Sequence, residues 1–311
     1  MELLTAEDVA KQLRIKKYTV YELIKRGELP SSKVGKQVRI SQADIDRYLR
    51  ASKTACPWDE AGESSPPAFP APRTAETDPL RAVILCGQDR CLDLLLARIT
   101  GLGDMVYRSY MGCYNGLNAL YLGRVTMAAS HLWDSETGGY NYPFIVRLLP
   151  GVPVGVLRLA GRMQGFYVKK GNPLKIQDWQ DLARPDLKII NRERGCGTRI
   201  LLDEKLRLLG IRGASIQGYG RESPSHIVCA GTVAKGGADL GCGCQGGAEN
   251  IAGVDFIPLQ LEWYDLVFRL ADKDSPAVKT VLSYVGTGEF TQDLKTLGSY
   301  DSSQTGYYRE L

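Results

Sequence analysis

The residues best suited to chemistry in this chain are eight cysteines, Cys56, Cys86, Cys91, Cys113, Cys196, Cys229, Cys242 and Cys244, and two histidines, His131 and His226. Several thiolates converging with an imidazole would suit a soft or borderline metal, or a metal–sulfur cluster. Spacing alone supplies no such site, because Cys242-Gly243-Cys244 is not a CxxC pair and gives no standard zinc spacing. Placement is more informative. Cys86 precedes Gly87, Cys113 follows Gly112, Cys196 lies between Gly195 and Gly197, Cys242 follows Gly241, and each histidine follows a serine, Ser130 or Ser225. The bland alternative is that cysteine behaves as a small hydrophobe. Cys91 and Cys229 fall inside amphipathic helices and read that way, and Cys56 reads as incidental. Glu193, Asp203, Asp239 and Asp265 read as capping or paired structural carboxylates. No nucleophile–His–acid arrangement, P-loop or dinucleotide fingerprint is legible, so the chain does not read as an enzyme.

These turns recur in one local pattern. Strand-like residues 82–85 end at Cys86-Gly87 and precede a helix with Leu92, Leu95, Leu96 and Ile99 on its apolar face. Residues 106–110 precede Gly112-Cys113 and another helix, residues 125–129 lead to Ser130-His131, and residues 187–191 lead to Gly195-Cys196-Gly197-Thr198-Arg199 and a helix over 200–209. Ser225-His226 opens a helix that reaches residue 234, and residues 238–241 form a short buried strand. Strand, small-residue turn and helix in repetition predict an open, mostly parallel α/β sheet. In such sheets ligands bind beyond the carboxyl ends of the strands, where helix N-termini present free N–H groups.

At 311 residues the chain is long for one compact domain. Its composition, 44% hydrophobic and 24% charged, is ordinary for a globular protein. No apolar run approaches the ~20 residues of a membrane helix, and the N-terminus lacks the basic and apolar regions of a secretory signal. The expectation is a cytoplasmic protein without membrane contact, whose thiols stay reduced. The net charge of +4 is carried by residues 1–50, which hold eleven Lys or Arg and seven Asp or Glu, so the rest sums to zero. That basic surplus is where a phosphate-contacting surface would need it.

Within those fifty residues Thr5 precedes Ala6-Glu7-Asp8, an N-cap followed by a short helix. A second helix is expected from about residue 18 to 26, stopped by Gly27. A two-stranded wing follows at residues 33–34 and 38–40 around Gly35-Lys36, and Ser41 caps a third helix over 43–49. The run LTAEDVAKQLRIKKYTVYELIKRGELPSSKVGKQVRISQADIDRYL resembles the excisionase/MerR-type winged helix-turn-helix along its whole length. The resemblance implies that the second helix enters the major groove of double-stranded DNA with Lys16, Lys17, Tyr18, Thr19 and Tyr21. It also implies that Lys33, Lys36 and Arg39 hold phosphates from the wing.

From residue 51 to 79 periodicity disappears, and ESSPPAFPAPRTAETDP has the composition of an extended connector. Beyond it GCGTRILLDEKL, SHLWDSETGGYN, QGFYVKKGNPLKI, GGADLGCGC and FIPLQLEWYDLVF, in that family's order, resemble the periplasmic-binding-protein-like domain. This is the domain fused to helix-turn-helix heads and found at the end of some molybdopterin-biosynthesis proteins. The likeness implies a type II α/β fold of two lobes, about 80–157 plus 266–311, and 158–265. Two segments, near 157–166 and 259–266, would cross between them. A ligand in the cleft would close the lobes as the signal.

Carried over position by position, the resemblance lines the cleft with Cys86, Gly112, Cys113, Ser130, His131, Gly195, Cys196, Gly197, Thr198, Arg199, Ser225, His226 and Cys242. Molybdate or tungstate is the effector it implies, held by backbone N–H groups and hydroxyls. The chain departs from that pattern where relatives carry serine and it carries Cys113 and Cys196. A thiol is a weak donor to an oxyanion, which leaves open a site in which Cys86, Cys113, Cys196 and Cys242 ligate a soft metal, arsenite or a cluster. The whole therefore reads as a one-component, ligand-responsive transcription regulator acting as a homodimer on operator DNA, with a small inorganic effector and no certain cofactor. An excisionase-like accessory DNA-binding protein and a cofactor-pathway protein are the competing readings.

Overall fold

The computed structural model describes residues 3–13, 15–35, 37–52, 82–101 and 105–311. Contacts divide the chain into two units, Met1–Phe69 and Pro70–Leu311. The segment expected as a connector lies outside the described residues except for its first two, which continue a helix.

In the first unit, α1 (Ala6–Leu13) starts at the expected cap: the Thr5 hydroxyl accepts the Asp8 N–H at 3.2 Å, and Asp8 returns the bond to the Thr5 N–H at 3.0 Å. This reciprocal cap satisfies donors that a helix start otherwise leaves free. Helix α2 (Lys17–Lys25) ends at Arg26 and Gly27, whose φ of +74° only glycine adopts without cost. Strands β2 (Ser32–Val34) and β3 (Gln37–Ser41) form the wing, and Ser41 caps α3 (Gln42–Ser52) through the Asp44 N–H. The sequence reading missed β1 (Leu3–Thr5), which pairs antiparallel with β3 and makes the sheet three-stranded, β1-β3-β2. Three residues carry too little pattern to register as a strand. Val9, Val20, Leu23, Leu29, Ile40 and Ile45 are buried together as the core that fixes α2 against α1.

The second unit is built on β4 (Val83–Cys86), α4 (Cys91–Thr100), β5 (Val106–Ser109), α5 (Cys113–Tyr121), β6 (Met127–Ser130) and α6 (Tyr142–Leu148). Then come β7 (Val154–Lys169), β8 (Ile189–Arg192), α7 (Gly197–Leu208), β9 (Glu222–Ser223), α8 (His226–Ala234), β10 (Leu240–Cys244) and β11 (Val254–Arg269). The chain closes with α9 (Pro276–Gly286), α10 (Gly288–Leu297), β12 (Tyr300–Asp301) and β13 (Tyr308–Glu310). One ten-stranded sheet runs β5-β4-β6-β11-β7-β10-β8-β9, with β12 and β13 on β7.

The sheet is mixed, not mostly parallel as the sequence suggests. The β5-β4-β6 and β10-β8-β9 sets are internally parallel, but β7 and β11, sixteen residues each, pair antiparallel with one another and with the sets beside them. Two chain crossings between lobes must run in opposite directions, and here they pair along nearly their full length. Breaks in their register at Pro258/Gln260 and Tyr264/Asp265 relieve the twist that so long a pair accumulates. One lobe's core joins Leu85, Leu92, Leu95, Met127, Phe268 and Phe290; the other's joins Phe166, Ile189, Leu202 and Leu240. Between these cores the crossing strands carry buried charge, Arg158, Arg162, Glu262 and Asp265.

Candidate functional site

Four helix starts converge on one pocket. The turn after β4 contributes Gly87, Gln88 and Asp89, the start of α5 contributes Met111, Gly112 and Cys113, and His131 follows β6. Cys196 caps α7 and His226 opens α8, while Arg162 and Tyr264 reach in from the two crossing strands. Neither α5 nor α7 is capped by a side chain, which leaves first-turn N–H groups open to a ligand except on α5, where the Tyr114 N–H is taken by the Gly195 carbonyl. The pocket is small as the lobes stand, with about 10 Å³ of free volume, which is room for one water.

Glycines set how tightly it closes. A Cβ on Gly112 would lie 2.5 Å from the Gly195 carbonyl oxygen and 2.8 Å from the Cys196 nitrogen. The Tyr114 N–H donates to that same Gly195 carbonyl at 3.0 Å. Backbone thus meets backbone between the start of α5 and the loop before α7. A Cβ on Gly197 would fall 2.6 Å from Cε1 of His131. We expect Gly197→Ala to push the His131 ring from its place and to cost about 1–3 kcal/mol by overpacking. Urea unfolding measures this, and an unchanged stability would mean the ring is free to move.

Buried charges are arranged in a chain. Arg162 donates from Nη1 to Asp89 Oδ2 at 2.5 Å, pairs through Nη2 with Glu262, and lies over the Tyr264 ring at 4.0 Å from its centre. Asp89 also accepts from the Cys91 N–H at 2.8 Å and the Tyr300 hydroxyl at 2.6 Å. Burial would raise its pKa, but Arg162 and these donors overcome that and hold it at about 2. A carboxyl depressed in this way stabilises the fold above its ordinary value of 3.8, and that stability is lost as pH falls toward about 2. The loss should amount to about 2 kcal/mol. Unfolding followed across that window should show it in the parent protein and show it reduced in Asp89→Asn.

Glu262, fully buried, holds His131 Nδ1 through Oε2 at 2.7 Å, and Cys113 lines the pocket together with His131. Desolvation opposes charge on His131, yet Cys113 and Glu262 outweigh it and raise the imidazole to about 10. Burial opposes ionisation of Cys113 too, and the facing His131 nonetheless draws its thiol below the ordinary value. Glu262 is held below its ordinary value against burial by Arg162 and His131. Cys113, His131 and Glu262 are thus brought into one neighbourhood that the sequence did not reveal, because they lie on α5, after β6 and on β11. His226 differs: burial, then Arg192, Arg162 and His131, press it well below its usual value, so it is neutral. Its Nδ1 lies 3.3 Å from the Tyr167 hydroxyl, whose proton goes to the Cys244 carbonyl at 2.6 Å. Nδ1 must then carry the hydrogen, and Nε2 is left as an acceptor. The buried Tyr264 hydroxyl and Arg162 Nε have no partner among the described residues.

Of the residues expected at the cleft, Gly112, Cys113, His131, Cys196 and His226 line the pocket, with Gly195 and Gly197 framing it by backbone. The remaining six are occupied elsewhere. Ser130 donates to Asn141 Oδ1 at 2.8 Å, Thr198 lies 3.4 Å from Gln164 Nε2, and Ser225 caps the Val228 N–H at 3.2 Å. Arg199 is held by Asp203 at 3.0 Å and lies over Tyr219. Cys86 packs in one apolar core and Cys242 in the other. Burial pushes the Cys86 thiol up to about 12 and the Cys242 thiol well above its ordinary range. Of the four thiols, Cys113 and Cys196 line the pocket, whereas Cys86 and Cys242 are not among its lining and are buried in apolar clusters. Among the described residues no group of three or more His, Cys, Asp or Glu is placed to hold a metal ion. Cys91 and Cys229 are buried in apolar clusters, and Cys56 lies outside the described residues. Sequence reasoning missed Arg162, Asp89, Glu262, Tyr264, Gln88 and Met111; a charged residue within an apolar run of strand residues, as at Arg162, was the available signal.

On the first unit Lys16, Lys17, Tyr18 and Tyr21 are exposed at the start of α2 and Thr19 is half-buried. Lys17 also pairs with Glu7 at 3.3 Å. Arg39, half-buried, lies on the central strand β3, Lys33 lies on β2, and Lys36 lies outside the described residues.

Comparison with known proteins agrees with this architecture. Residues 3–53 match the family model described as a helix-turn-helix domain, and residues 100–286 match that of the PBP superfamily domain. The chain is 38% identical over 303 residues to the uncharacterized protein YvgK of Bacillus subtilis (strain 168), covering 97% of this chain and 96% of that protein. A Clostridium pasteurianum protein, from the 5′ region of a 2Fe-2S ferredoxin gene, is 47% identical over 107 residues, 34% of this chain and 95% of its own. Among solved structures, a putative phosphate transporter substrate-binding protein with bound phosphate from Clostridium perfringens superposes with a TM-score of 0.52 at 12% identity, covering 71% of this chain and 99% of its own. The sulfate-binding protein SubI of Mycobacterium tuberculosis H37Rv does so with a TM-score of 0.51 at 14% identity, covering 70% and 85%. No helix among the described residues is long and apolar enough to cross a membrane. The chain belongs to the PBP superfamily, carries an excisionase-like helix-turn-helix DNA-binding domain ahead of its two-lobed domain, and is a member of the same family as YvgK.

Proposed function

We propose that this chain is a one-component transcription regulator whose two-lobed domain binds a small oxyanion, with molybdate or tungstate the specific candidates. The observation that carries the reading is the pocket itself. The starts of α5 and α7 face it without side-chain caps, the Tyr114 N–H of α5 being taken by Gly195, and Tyr264, whose buried hydroxyl has no partner among the described residues, lines it. Arg162 and the cationic His131 are balanced there by Asp89 and Glu262. Selectivity for an anion therefore rests on N–H and O–H dipoles, which need no counter-charge. Two solved structures of the same fold are named for phosphate and sulfate. Closure of the lobes on the ion would shift a homodimer of heads on operator DNA in the cytoplasm.

Isothermal titration of the full chain with molybdate, tungstate, sulfate and phosphate tests the reading. Molybdate or tungstate should bind at one per chain, and Tyr264→Phe should weaken binding about tenfold, the worth of one hydrogen bond. If none of the four anions binds, the reading falls, and an accessory DNA-binding role becomes the better one.

A further inference from the structure

Six of the cysteines, Cys86, Cys91, Cys196, Cys229, Cys242 and Cys244, have their thiols raised by burial. Cys113 stands apart: it opens α5 and lines the same pocket as His131, which is anchored on the fully buried Glu262 at 2.7 Å. Oxyanion binding has no use for this row, since a thiol is a poor donor. Cys196 lines the same pocket, and the backbones of the two loops touch, with a Cβ on Gly112 only 2.8 Å from Cys196 Cα. One thiol belongs to each lobe's helix start.

We propose that Cys113 is a redox-reactive thiol, and that a small peroxide oxidises it and Cys196 to a disulfide tying the lobes together. Ion pairing with an imidazolium and the start of a helix both favour the thiolate, the reactive form. The pocket has room for a molecule near the size of water, which suits hydrogen peroxide. In the first step the Cys113 thiolate attacks one peroxide oxygen and the O–O bond breaks. The leaving hydroxide takes the proton of His131 and departs as water, so Cys113 becomes a sulfenic acid and His131 neutral. The Cys196 thiol then attacks that sulfur, its proton leaves with the sulfenic hydroxyl as a second water, and the S–S bond forms. Two electrons pass from the two thiols to one peroxide. With Nδ1 on Glu262, His131 keeps Nε2 as the ring's donor toward the pocket. The disulfide would fix the closed arrangement without any ligand, giving the sensor a second input.

The test uses the full chain, reduced and desalted, then treated with hydrogen peroxide. Peptide mass spectrometry should find a Cys113–Cys196 link with the loss of two hydrogens. Cys196→Ser should instead trap a sulfenic acid at Cys113 that dimedone labels. Glu262→Gln and His131→Gln should slow iodoacetamide labelling of Cys113 at pH 6 by about tenfold, a change that a merely structural thiol would not show. Peroxide that leaves Cys113 untouched overturns the proposal, as does labelling of Cys113 at the same rate in the parent, Glu262→Gln and His131→Gln proteins. So does a link from Cys113 to any cysteine other than Cys196. None of these outcomes depends on whether an oxyanion binds.

Discussion

Arg162→Met should destabilise the two-lobed domain by about 3–5 kcal/mol, the usual cost of removing one member of a buried charge network. Asp89 and Glu262 approach Arg162 from opposite sides, and both are buried with it. Without the guanidinium, Glu262 keeps only His131, and Asp89 keeps the Cys91 N–H and Tyr300. Two buried carboxylates would then be left with one cation, His131 on Glu262. Denaturant unfolding reads the loss, and the double variant Arg162→Met with Asp89→Asn should recover part of it. A single variant as stable as the parent would show that the network is relaxed by solvent, contrary to its burial.

The second large effect belongs to the other domain. Replacing Lys16, Tyr18 and Tyr21 together by alanine should lower operator affinity by roughly a hundredfold or more, at about 1–3 kcal/mol for each base that is no longer read. All three are exposed at the start of α2, with Tyr18 at 73% and Tyr21 at 45% of full exposure. They add nothing to the core formed by Val20 and Leu23, so folding should change little. Fluorescence anisotropy at two salt concentrations separates the contributions. Removing Lys16 should reduce the salt slope by about 1, whereas the tyrosines should act independently of salt. Unchanged affinity would mean that α2 does not face DNA.

The sequence made the helix-turn-helix legible because local signals agree with one another: Thr5 and Ser41 cap, Gly27 stops, and Gly35 turns. In the second domain it exposed the strand–turn–helix units and hence the pocket's rim, where Gly112, Cys113, His131, Cys196 and His226 sit at helix starts. Local pattern could not reveal which side of a strand end faces the pocket. Cys86 shares a face with Ile84 and packs over Gly116, where a Cβ would lie 2.9 Å from its sulfur. Cys242 shares a face with Leu240 for the same reason. Nor could it reveal the pocket floor. Arg162 and Glu262 are paired residues of β7 and β11, a hundred positions apart in the chain. Their charge makes sense only once the antiparallel pairing of the crossing strands is known. The same holds for Asp89 and Tyr300, joined at 2.6 Å across the length of the domain.

The central claim is that ligand in the pocket changes how the heads bind DNA. It is tested most directly by the dissociation constant of the full chain for an operator fragment, selected by the protein itself from genomic DNA, with and without saturating molybdate or tungstate. A shift of about tenfold, corresponding to about 1.4 kcal/mol of coupling, is expected, and Gly197→Ala or Tyr264→Phe should diminish it. An identical constant with and without each anion, or a shift that survives in both pocket variants, would contradict the account.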